Sequence, residues 1–318
     1  MKFRSLIEST GVFLLAAASV SAQSTPAPAR APKAGVVRRA ADGHPDLSGI
    51  WSNATRTPFE RPEVFKGKPT ISDDEARKWE ARQNERWEDE ESKIDGGRPV
   101  TIQGGAYNVL FYDNGSELSR IGGQKRTSMV VDPPDGHVPP LVPEARDRVR
   151  RRAYVPGDYK TLSYDTRCLV GNTPSVPLVP ALYNNNMEIV QSADSILIEV
   201  EMVHDARVVH MNAKHVSPNV RQWFGDSIGH WEGDTLVVET TNFNDHTHYR
   251  GASMNLKVTE RFTRVSDKTI EYRATMEDSS TWTKPWSIEL AFSSVPGPLY
   301  EYACHEGNYA MVDILGAK

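Results

Sequence analysis

The chain is nearly devoid of cysteine: Cys168 and Cys304 are the two among 318 residues. That leaves room for at most one intramolecular bridge. No glycine-rich phosphate loop occurs, which argues against a nucleotide cofactor. Ser227 lacks a Gly-x-Ser-x-Gly frame, so there is no nucleophile elbow. The nine histidines do not supply a zinc helix. His204, His210 and His215 miss the tight spacing that ligation needs, and His246 and His248 run into Tyr249 and Arg250 as a solvated loop would. No metal and no diffusible cofactor are expected. Beyond residue 20 no apolar run is long enough for a bilayer, so no membrane span is expected in the mature chain. Charge is balanced too, with a net of −5 and 25% charged residues. The one basic cluster, Arg146 to Arg152, is diluted by Glu144 and Asp147. It reads as a solvated helix face, and no nucleic-acid partner is expected.

What is present begins with Lys2 and Arg4 ahead of the apolar stretch Gly11 to Val20, closed by Val20-Ser21-Ala22. This pattern reads as a secretory signal over residues 1–22, cleaved after Ala22; Glu8 is atypical there, and an uncleaved anchor is the alternative. The mature protein is therefore expected in the periplasm or outside the cell. In such a compartment Cys168 and Cys304 pair plausibly as a disulfide, the alternative being two separate buried thiols. Closing so long a loop is worth about 4–5 kcal/mol in the chain-entropy account.

Residues 23–44 are rich in Pro, Ala and Arg without periodicity and read as a disordered linker. A single β-rich domain is expected over 45–318. Within it, 72–95 is helical, opened by a Ser72/Glu75 capping box and carrying Trp79 and Trp87 on one stripe before Gly96-Gly97. Residues 98–165 are dense in Pro, Gly and Asp and read as irregular segments wrapping the body, with a short helix opening at Pro143. From 187 to 306 short alternating strands recur, ending in one over Leu299 to His305. Asn212 to His215 reads as a hairpin turn. The fold class is mainly β: an antiparallel up-and-down barrel or sandwich with an N-terminal helix and long Pro-rich wraps. A barrel is favoured because closure removes exposed edges.

Several residues stand out chemically. Glu260 shares the apolar face of Leu256, Val258 and Phe262, so it must be paired or change protonation. An ion pair with an arginine is the simpler reading, an acid/base in a cavity the sharper one. In His204-Asp205-Ala-Arg207, Asp205 could orient His204 as a base while Arg207 stabilises negative charge; a turn capped by Asp205 is the bland alternative. His305, beside Cys304, is held rigidly if the disulfide forms. The candidate catalytic set is His204, Asp205, Arg207, Glu260 and His305. Candidate substrate-binding residues are Asn185, Arg221, Trp223, Asp226, Glu306 and Tyr309, with Asp226 on a loop beside Trp223 and Phe224 that suits a lid.

Gly49-Ile-Trp51 is similar to the first strand of lipocalin-like barrels, where the tryptophan plugs one end; a simply buried Trp51 is the alternative. Longer stretches, namely Arg126 to Leu141, Tyr183 to Asn186, Glu201 to Arg207, Gly229 to Phe243 and Tyr300 to Tyr309, resemble a large family of exported, mostly uncharacterised bacterial proteins. The resemblance runs from about Asp46 to the C-terminus. It implies a secreted, calycin-like β domain and carries over no catalytic residues. Asn212-Ala departs from the Asp-Gly that the family pattern implies at that turn.

Two functions fit. One is a secreted enzyme doing cofactor-free acid/base chemistry, as a lyase, isomerase or hydrolase, on a small, partly apolar or aromatic molecule. The other is a periplasmic lipocalin-like protein that binds an apolar ligand without catalysis. A structural envelope protein whose wraps dock a partner is a third. In the first two the partner is a small molecule.

Overall fold

Apolar and polar residues alternate with period two from Met187 onward, and that pattern builds a closed barrel. The computed structural model of the chain describes residues 37–92, 112–151, 155, 158–171, 175–246, 249–309, 311 and 316. The signal segment, most of the linker, residues 93–97 and His248 lie outside the described residues, as does the side chain of Trp87. The strands are β1 (Gly49–Ser52), β2 (Thr70–Ile71), β3 (Arg120–Ile121), β4 (Gln124–Arg126), β5 (Val130–Asp132), β6 (Asn186–Gln191) and β7 (Ser195–Val200). They continue as β8 (Ala206–Met211), β9 (Asp226–Glu232), β10 (Thr235–Thr241), β11 (Lys257–Ser266), β12 (Thr269–Glu277) and β13 (Trp286–Ser294).

Nine strands close a ring in the order β1-β6-β7-β8-β9-β10-β11-β12-β13, with β13 pairing back to β1. An odd ring cannot alternate direction throughout, so one neighbouring pair must be parallel. That pair is β8–β9, where Val209 faces Ser227 and Met211 faces Gly229. Parallel neighbours cannot share a tight hairpin. Residues 212–225 are accordingly a crossover, which corrects the hairpin expected at Asn212 to His215. Asp226, expected on the loop, is the first residue of β9.

Inside the ring, alternate residues are buried: Ile196 and Ile198, Leu236 and Val238, Val258 and Phe262, Ile270 and Tyr272, and Ile288, Leu290 and Phe292. Each large apolar side chain so buried contributes about 1.5–3 kcal/mol. They fill the interior. Trp51 is buried, its Nε1 donating to the Leu47 carbonyl at 2.9 Å while the Arg264 guanidinium lies 5.3 Å from its ring. Order begins earlier than the expected residue 45. Arg39 forks onto Asp234 at 2.9 and 2.8 Å, and His44 stacks on Trp231 at 4.7 Å, which fixes 37–44 against the barrel.

The wraps are anchored by short pairings. β5 lies along β13, and β2, β4 and β3 form a separate small sheet. Helix α1 (Asp73–Ser92) is opened by the capping box: Glu75 N–H donates to Ser72 Oγ at 3.2 Å and Ser72 N–H to Glu75 Oε2 at 3.1 Å. Its Ala76 and Trp79 pack with Phe65, Ile71 and Leu118. Helix α2 (Pro143–Arg151) carries proline in its first turn and is tied down by Arg148, which donates to the Gly251 carbonyl at 2.9 Å and Thr281 Oγ1 at 2.7 Å.

The strand expected at Leu299 to His305 does not form. β13 already pairs with β12 on one side and with β1 and β5 on the other, so the closed ring offers no edge for it. This segment is held instead by the Cys168–Cys304 disulfide, with Cα atoms 5.8 Å apart across 136 residues.

Candidate functional site

Register gathers one end of the barrel: Glu199 faces Ala206, Asp226 faces Thr241, Lys257 faces Glu277 and Met276 faces Trp286. The wrap over 158–185 and the C-terminal segment meet here. Val176, Leu178 and Val179 join the core, and the disulfide clamps the two segments together.

Just inside this end lies a buried polar chain. Arg207 on β8 and Glu260 on β11 both point inward, with side chains 3% and 0% exposed. Arg207 Nη2 stands 2.8 Å from Glu260 Oε1 and 2.7 Å from Oε2, while Nη1 is 3.3 Å from Ser227 Oγ and 3.5 Å from Thr240 Oγ1. Tyr272 donates its hydroxyl to Glu260 Oε1 at 2.7 Å and accepts from Leu178 N–H at 2.9 Å. Burial, and then the negative charge of Glu260, hold the Tyr272 phenol well above its ordinary pKa, so it stays a donor. The ion pair expected as the simpler reading of Glu260 is thus formed. Through Tyr272 it also fastens the Leu178 segment into the mouth.

Asp205 lies at the rim, at the foot of β8. It is 6% exposed, and its Oδ2 accepts from Gly171 N–H at 2.9 Å. Loss of water on burial pushes its carboxyl up to about 6, with the Gly171 N–H and His204 offsetting part of that. His204 is exposed and sits at a positive φ of 54°. Its Nε2 accepts from Tyr302 N–H at 3.0 Å, so this ring holds the C-terminal segment.

On the outer face of the same end, His215 from the crossover is inserted between two carboxylates. Its Nδ1 is 2.7 Å from Asp226 Oδ2 and its Nε2 is 3.2 Å from Glu239 Oε1. Asp226, 5% exposed, also accepts from Val216 N–H at 3.0 Å. Glu239 is further paired with Lys257, whose hydrogen bond leads the causes that draw its carboxyl below the usual range. Nearby, Trp223 stacks on His246 at 4.8 Å. Tyr164 meets Trp223 edge-on at 5.0 Å and reaches His246 Nδ1 with its hydroxyl at 2.9 Å.

The other candidates are spread more widely. Asn185 is buried, its amide spent on Ala181 N–H at 2.7 Å and the Asp113 carbonyl at 2.6 Å, so it shapes the wrap. Arg221 donates to the carbonyls of Phe243 at 3.0 Å and Met254 at 2.7 Å. His305, Glu306 and Tyr309 are exposed. The structure brings Arg207 and Glu260 together and keeps Asp205 at the same end. Sequence reasoning missed the roles of His215, Glu239 and Tyr272. Glu239 and Tyr272 are polar residues within alternating strands, which is a signal the sequence carries; His215 lies in the crossover and has no such local signal.

Among the described residues no group of three or more His, Cys, Asp or Glu side chains is arranged to hold a metal ion. No described helix is long and apolar enough to cross a membrane. No protein-family model matches the chain, and no curated protein matches its sequence.

Proposed function

We propose that this is an exported enzyme that performs cofactor-free acid/base chemistry on a small, partly aromatic molecule at the wrapped end of its barrel. Asp205 is the proton acceptor. One observation carries this reading: a carboxylate removed from water, given the Gly171 N–H in return and raised to about 6, sits at the barrel rim where the wrap and the C-terminal segment meet. Arg207 and Glu260 are positioning residues, because their groups are spent on one another and on Ser227, Thr240 and Tyr272. The disulfide supports export, since such bonds persist in oxidising compartments.

The test uses the purified mature protein and two generic probes: α-proton exchange of small aryl ketones in heavy water, followed by NMR, and hydrolysis of p-nitrophenyl esters. One of the two reactions is accelerated, its rate rising as Asp205 ionises around pH 6. Asp205→Asn lowers it by roughly 100-fold or more. A variant that retains the full rate overturns the assignment. The ring stack of Trp223, His246 and Tyr164 favours a second reading, retention of an aromatic ligand without chemistry. Saturable quenching of tryptophan fluorescence by the same compounds, with no turnover and no effect of Asp205→Asn, would support it.

A further inference from the structure

A different part of the same barrel end carries three buried hydrogen-bond donors that lack an acceptor among the described residues: Trp282 Nε1, Trp286 Nε1 and the Tyr249 hydroxyl. They belong to one aromatic cluster. Trp282 and Trp286 are 2% and 0% exposed and meet edge-on with centroids 5.4 Å apart. Tyr249 stacks on Trp286 at 6.2 Å, and Phe59 meets Trp286 edge-on at 6.1 Å. Val138 and Leu141 pack against the same core and bring no side-chain acceptor. Leaving one such donor unmet costs about 1–3 kcal/mol, so three in one cluster is a large outlay for a structural role alone.

A cation completes the arrangement. Arg250 follows Tyr249 in a short turn, is exposed, and carries its guanidinium 3.6 Å from the Phe59 ring centroid. Burial pushes the Tyr249 phenol up to about 12, with Arg250 offsetting part of the rise, so the hydroxyl keeps its proton. Arg250 has no acceptor to offer that proton. The cluster therefore presents apolar ring faces, neutral N–H and O–H donors, and one positive charge on its outer side. Two planar oxygens on an apolar body match that set, because a carboxylate accepts from several donors at once.

We propose that the Trp282–Trp286–Tyr249–Arg250 cluster is a binding site for a small apolar carboxylic acid, its oxygens toward the indole and phenol donors and its body against the aromatic rings. The site stands on this cluster and does not depend on Asp205.

The experiment uses the mature protein carrying 15N-labelled tryptophan, titrated with benzoate, with octanoate and with neutral benzyl alcohol. The indole N–H signals of Trp282 and Trp286 shift saturably with a carboxylate, and benzyl alcohol binds at least tenfold more weakly. Trp286→Phe and Arg250→Gln each weaken carboxylate binding by about tenfold, which corresponds to one lost directed contact. Should Trp286→Phe fail to fold, Trp282→Phe and Tyr249→Phe test the same donors. The proposal is overturned by indole signals that no probe moves up to its solubility limit. It is equally overturned by variants that leave the affinity unchanged, or by indole protons that cross-relax with water no probe displaces.

Discussion

Arg207 and Glu260 meet across the barrel interior from β8 and β11, strands that are not neighbours, with Arg207 Nη2 within 2.8 Å of both carboxylate oxygens. The pair spans β9 and β10 and leans on them through Ser227 and Thr240, whose hydroxyls are 2.8 Å apart. Through Tyr272 on β12 it reaches the Leu178 backbone, so one charged pair couples five strands and a wrap.

Removing one member of that pair is predicted to hurt more than removing both. Glu260→Leu leaves a buried guanidinium without its counter-charge and should cost about 3–5 kcal/mol, read from denaturant unfolding. The double variant Arg207→Met with Glu260→Leu should recover most of the loss, since two apolar groups of similar volume need no partner. A double variant as unstable as the single one would show that packing, and not charge, dominates here.

Asp205 should make stability fall as pH rises. Its folded pKa, raised from 3.8 to about 6, means that the folded state binds more protons than the unfolded state between those values. Stability from this group is then greatest below pH 4 and declines until about pH 6, by roughly 3 kcal/mol in all. Asp205→Asn keeps an acceptor for Gly171 N–H and removes the charge. Its melting temperature should exceed the wild type's at pH 7 and match it near pH 4. Parallel pH profiles for the two proteins would count against the assignment.

Asp226 is predicted to pin the crossover. Asp226→Ala strips both His215 Nδ1 and the Val216 N–H of their acceptor and should cost about 2–3 kcal/mol, with faster hydrogen exchange at Val216. Asp226→Asn preserves an oxygen for Val216 and should cost less. If exchange at Val216 is unchanged in Asp226→Ala, the crossover is held by other contacts, such as Arg221 on Phe243 and Met254.

Much of this architecture was legible in the sequence. The alternation of Val258, Glu260 and Phe262 gave a strand with an inward carboxylate that had to find a cation. Ser72 and Glu75 marked a helix start, and Pro143 another. Trp51 was legible as a buried residue of the first strand. The parallel β8–β9 pair was hidden, because strand direction in a closed ring follows from the number of strands and not from any local pattern. The fate of Leu299 to His305 was hidden for a related reason: its alternation suits a strand, but pairing requires a free edge. His215 and Asp226 looked like separate loop residues until the crossover laid one over the other, and the donors of Trp282, Trp286 and Tyr249 converge only once β13 and the Tyr249–Gly251 turn are packed.

The sequence alone determined the local character of most segments, since period, caps and proline placement act within a few residues. Tertiary structure decided which distant groups meet. Closing nine strands fixes every register around the ring at once, and only then do Arg207 and Glu260, or Cys168 and Cys304, occupy one place. Contacts between strands separated by dozens of residues depend on that global closure, and no local preference encodes it.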